Sequence, residues 1–278
     1  MEITGAWDPQ TDDVLEHLCK IADGLEDGIG SLASAEVKKA SSLLYSNVSA
    51  ISSTLYKICK DTRTRCSSQA VGSLLRTIIE ASISVFAFCK DPPGRAALFL
   101  DYACVLTFRH QVNSMRNIGC PFLPASRYDP TRVGLAKELA RKAVLRCGAD
   151  YLEKKPKGGE AVTDLLVEAT TDGSEHPAWF RNHWFPEQSR ADVLAYEQMA
   201  WLDDVLYKWL CSCVHSDIWA ASPLSGMKRS NVAMFGMQFW GASVLRLFEA
   251  LEIRLNPEHA SFLRDQFYRT LQWDPNKD

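Results

Sequence analysis

"SSQAVGSLLRTIIEASISVFAFC", residues 67–89, decides the fold class. At about 100° per residue, Val71, Leu74, Leu75, Ile78, Ile79, Val85, Phe86 and Phe88 cover most of a helical circumference. The polar residues Gln69, Ser73, Arg76, Glu80 and Ser84 fall into one stripe about 80° wide. An ordinary surface helix has the opposite proportions, so this stretch reads as a central helix with a thin polar seam. Arg76 and Glu80 stand four residues apart, close enough to pair along the helix. A charge buried alone is costly, so the seam must find partners.

The pattern returns at 189–216. There Glu197, Asp204, Lys208, Ser212 and His215 share one stripe, while Leu194, Met199, Leu202, Val205, Leu206, Tyr207, Trp209 and Leu210 fill the rest. Two such helices predict either a shared polar groove or two wet edges of a packed bundle. Helical periodicity continues at 10–27, 33–60, 94–117, 131–151, 160–170, 228–253 and 257–271. "KDPPGR" (90–95), "GCPFLPASRYDP" (119–130), "EKKPKGGE" (153–160) and "SPLSGMKRSN" (222–231) break it. With no alternating strand of useful length, the expected fold is all-α: a single multi-helix, bundle-like domain over 63–278 with an N-terminal helical extension over 1–62. Helix 228–253 carries more apolar surface than one bundle face needs. Its Met234, Met237, Phe239 and Trp240 suit either a dimer interface or the centre of the fold.

Composition supports a folded chain: 278 residues, 46 % apolar and 23 % charged, with a net charge of −3. A field this balanced does not recruit nucleic acid, so an RNA contact needs a local patch. Nine cysteines, an odd number without C-x-x-C, read as free thiols of a cytoplasmic protein. The start "MEITGAWDPQTDD" lacks the features of a signal peptide, and the apolar run "ISVFAFC" is too short to span a bilayer. No membrane association is expected.

No Gly-rich phosphate loop, Ser–His–Asp order or acidic dyad stands out. His176 and His183, with Glu175, are too sparse for a metal site, so neither metal nor cofactor is expected. The long loop "TTDGSEHPAWFRNHWFPEQSR" (170–190) carries Trp179, Phe180, Trp184 and Phe185. It reads as a lid or contact surface, or as a loop its aromatics pin to the core. Lys137, Arg141, Lys142 and Arg146 form a basic strip, either an RNA-backbone contact or a solvated face.

Three stretches carry a resemblance: "LLRTIIEASISVFAFCKDPPGRAALFLDY" (74–102), "HWFPEQSRADVLAYEQM" (183–199) and "YKWLCSCVHSD" (207–217). Their order and spacing resemble a bacterial all-helical family of unknown function, domain family 5677, over roughly 65–220. That family is similar to the HEPN superfamily of helical dimers, many of them metal-independent ribonucleases of toxin–antitoxin and phage-defence systems. The superfamily's motif is an Arg four to six residues before a His. Here the cation is Lys208, seven residues before His215, about 10 Å away along a helix. The resemblance implies a homodimer of defence or toxin type that contacts RNA, with a partner protein in the same system. It further implies a candidate endoribonuclease site, with His215 as acid/base, Lys208 and Arg76 on phosphate charge, and Glu80 orienting them. The alternative is a non-catalytic helical interaction module, a sensor or adaptor in a multi-protein defence complex.

Overall fold

The structure, a computed structural model, describes residues 3, 7–61, 67–103, 135, 138, 142, 184–187, 189–207, 210–211 and 227–272. It divides into two compact units: Met1–Pro92 with Glu187–Asp278, and Pro93–Pro186. All regular elements among the described residues are helical, and the protein is all-α.

In the first unit, α1 (Gln10–Gly30), α2 (Ala35–Lys60) and α3 (Ser68–Cys89) follow the apolar periodicity closely. Helix α2 starts where the Ser34 side chain accepts the Val37 N–H at 3.3 Å, and Lys57 and Lys60 meet the negative end of its dipole. The boundary expected at 62–63 lies inside this unit, where α2 packs on α3. Helix α5 (Arg229–Ala250) packs against α1, α2 and α3 and against the C-terminal helical segment. Its Met237, Phe239 and Trp240 are buried in the core, whereas Met234 is half-exposed. At Gly236 a Cβ would stand 2.6 Å from Leu55 Cδ2 and 3.3 Å from Ile78 Cδ1, so α5 lies close against α2 and α3 there.

Helix α3 is long and apolar enough, by length and composition, to cross a membrane. Its apolar residues are instead covered by α2 and α5. The predicted stripe of Gln69, Ser73, Arg76, Glu80 and Ser84 is half-exposed, and exposed Ala70 and Thr77 and half-exposed Leu74 widen the open face.

The stretch 189–216 departs from the expected single helix. Helix α4 (Arg190–Tyr196) opens on a capping box between Ser189 and Asp192 and stops after seven residues. Gln198 takes φ 59°, Met199 N–H bonds Leu194 C=O at 2.8 Å, and Gln198 N–H bonds Ala195 C=O at 3.1 Å. This is a Schellman turn, closed by buried Leu194 and Met199. A π-helical turn, Leu202–Tyr207, follows. Glu197, expected in the stripe with Lys208 and His215, turns inward instead. Its side chain is 1 % exposed and lies 3.0 Å from Arg246 Nε. It accepts from Arg246 Nη2 at 3.2 Å and from the Tyr268 hydroxyl at 2.6 Å. Gln272 donates to the Glu197 carbonyl at 3.2 Å.

Helix α6 (Pro257–Leu263), capped by Asn256, runs into a π-helical turn, Arg264–Tyr268, and a last turn, Arg269–Leu271. In the second unit the described residues include helical 93–103. There buried Trp184 packs edge-to-face on Phe99, with ring centroids 5.3 Å apart. The rest of loop 170–183 and most of the basic strip lie outside the described residues.

Candidate functional site

Four side chains converge beside the seam of α3. Arg76 Nη2 donates to Glu80 Oε1 at 3.2 Å and to the Tyr207 oxygen at 3.3 Å. The Tyr207 hydroxyl donates to the same Glu80 oxygen at 2.6 Å. Arg190, the first residue of α4, lays its guanidinium 4.4 Å from the centre of the Tyr207 ring, and Arg76 approaches that ring at 5.5 Å. Arg190 Nη1 stands 3.9 Å from Glu80 Oε1, beyond a hydrogen bond.

Chain geometry explains the convergence. Arg76 and Glu80 share a face because they are one helical turn apart. Ser189 and Asp192 start α4 where Arg190 can reach Tyr207 across the break. Tyr207 is 4 % exposed, and its hydroxyl needs enclosed partners. Burial first, then the bond to Glu80, pushes its ionisation well above the ordinary tyrosine value, so it stays a donor. Burial works against the charge on Arg76, but the Tyr207 oxygen and the Glu80 carboxylate outweigh it and hold the guanidinium firmly charged.

Two guanidiniums against one carboxylate leave the cluster net positive. The Arg190 side chain is 41 % exposed and that of Arg76 24 %, so the charge faces solvent. Such an arrangement can receive an anion: planar forks for phosphate oxygens, held by an aromatic ring.

Of the four residues singled out in the sequence, Arg76 and Glu80 are brought together; Lys208 and His215 lie outside the described residues. The two polar helical stretches do meet, through Tyr207, which its apolar body hid among core positions. Arg190 was also missed. Its signal was the Ser-x-x-Asp start at 189–192, which places an arginine at a helix's first position. Among the described residues no group of three or more His, Cys, Asp or Glu could hold a metal ion. No family model, curated protein or solved structure matches this chain.

Proposed function

We propose that the chain is a HEPN-like protein of bacterial defence or toxin type that contacts RNA through backbone phosphate at Arg76 and Arg190. The observation that carries this reading is the pair of guanidiniums over one tyrosine ring, in excess over their single carboxylate. The resemblance adds the chemistry: His215 as acid/base on the 2′-hydroxyl and leaving oxygen, Lys208 on phosphate charge, and no metal. It also adds a homodimer and a partner protein of the same system, and the odd number of cysteines without C-x-x-C supports a reducing cytoplasm.

The second reading, a non-catalytic interaction module in a multi-protein defence complex, draws on a specific fact. Glu80 and Tyr207 already engage Arg76 inside the fold, as in a purely structural cluster.

Fluorescence anisotropy with labelled single-stranded RNA separates the two. Arg190→Ala should weaken binding about tenfold and lower the salt slope by about one. In excess chelator, His215→Ala should abolish cleavage without lowering the melting temperature. Wild-type protein with no RNA affinity at low salt, alone or with its natural partner, would end the RNA reading and leave the module.

A further inference from the structure

We infer that Glu197 is a positioning residue: by pinning the chain break at 197–201 it brings Arg190 and Tyr207 together and so builds the anion site. This rests on the proposed function for what the site binds, and on geometry alone for how the site is made. Arg190 and Tyr207 are seventeen residues apart in a stretch whose apolar pattern fits one uninterrupted helix, with no Gly or Pro inside it. In such a helix they would stand about 25 Å apart along the axis, farther than an arginine and a tyrosine can bridge. In the structure the guanidinium lies 4.4 Å from the ring centre. The break is therefore a condition of the site.

Local sequence does not impose that break. Gln198 sits at φ 59°, where a glycine is favoured and glutamine is not. The Leu194–Met199 contact closes the turn, the Trp201 indole donates to the Leu271 carbonyl at 2.8 Å, and the residue before Gln198 supplies the ionic anchor. The Glu197 carboxylate is tied to Arg246 of α5 and to Tyr268, and its carbonyl to Gln272. Arg246 also donates to Glu249 at 2.8 Å, and Arg264 donates to Glu249 at 3.1 Å, so the anchor belongs to a connected ionic group. Letting the helix run through would pull a buried carboxylate from these partners and leave Arg246 to share Glu249 with Arg264, which disfavours the straight form.

The test uses Glu197→Gln, which keeps the shape and removes the charge, alone and combined with Arg190→Ala and with Gln198→Gly. Two readouts are taken on the full chain: affinity for a labelled oligouridylate and hydrogen exchange of the ligand-free protein. Glu197→Gln should weaken binding about tenfold, the loss of one charge-assisted phosphate contact. It should cost little in the Arg190→Ala background, and Gln198→Gly, which favours the turn, should restore part of the loss. Exchange should rise across 190–207 while α2 and α3 keep their protection. Wild-type affinity and exchange in Glu197→Gln would overturn the inference. So would equal losses with and without Arg190, or a rise in exchange spread evenly over the unit, because either marks mere destabilisation. Should wild-type protein bind no RNA, a selective rise across 190–207 still supports the anchor while the RNA reading falls.

Discussion

Gly241 of α5 lies directly against the ring of Phe267, so close that a Cβ on Gly241 would overlap three ring atoms. Alanine gains helix propensity over glycine, about 1 kcal/mol, but here the ring must move and the packing around it must follow. Gly241→Ala should therefore destabilise the protein by about 1–2 kcal/mol in urea melts. Gly236→Ala should be close to neutral, because the Leu55 methyl that it meets at 2.6 Å ends a flexible side chain and can rotate away.

Tyr207→Phe keeps the ring on which Arg190 lies and removes the hydroxyl between Arg76 and Glu80. Water can reach Glu80, so the loss should be about 1 kcal/mol in chemical unfolding. RNA affinity should stay within about threefold of wild type, whereas Tyr207→Ala, which removes the ring, should lose about tenfold. Equal affinities for the two variants would dissociate the ring from binding.

The N-terminal end of α1 is tied by Asp12, which accepts from the Tyr56 hydroxyl, from Lys60 at 2.9 Å and from the Trp7 indole at 3.1 Å. The Tyr56 bond first, then Lys60 and Trp7, hold its carboxyl below the usual aspartate value of 3.8 despite some burial. A depressed carboxylate contributes stability that is complete above its unfolded value and lost as pH falls through the folded one. Melting of wild type and Asp12→Asn should thus differ at neutral pH and converge as the pH drops below 3.8. A constant gap down to pH values well under that would contradict the assignment.

Cys19, Cys59, Cys89 and Cys211 are in the thiol form. Cys59 and Cys89 are buried, and burial pushes the Cys89 thiol far up. Of these four, a thiol reagent at neutral pH should modify Cys211 and Cys19 first, with Cys19 slowed by its own burial and the nearby Asp23 carboxylate. Cys59 and Cys89 should react only on unfolding. In denaturant without reductant all nine cysteines should titrate; a substantial shortfall would indicate bridges.

The helices that bury a continuous apolar face were legible in the sequence nearly to the residue. The patterns at 33–60, 67–89 and 228–253 became Ala35–Lys60, Ser68–Cys89 and Arg229–Ala250. So was the half-exposed stripe of Arg76 and Glu80. What could not be read was the break after Tyr196, because a turn without glycine or proline leaves no local mark. Its cause is a carboxylate whose partner, Arg246, lies 49 residues away. Helical periodicity cannot register a long-range ion pair, so Glu197 was placed in the wrong stripe. Arg190 and Tyr207 then seemed unrelated.

The first unit is built from two separated pieces of chain, Met1–Pro92 and Glu187–Asp278. During synthesis α1, α2 and α3 leave the ribosome without α5, the helix that covers Leu55 and Ile78 near Gly236. All of Pro93–Pro186 must be translated before any of the second piece exists. At ~5–20 residues per second, that wait is on the order of ten seconds. Over that interval the most apolar of the described helices, α3, has α2 against it but not α5, so the face that α5 covers in the folded protein has no cover yet.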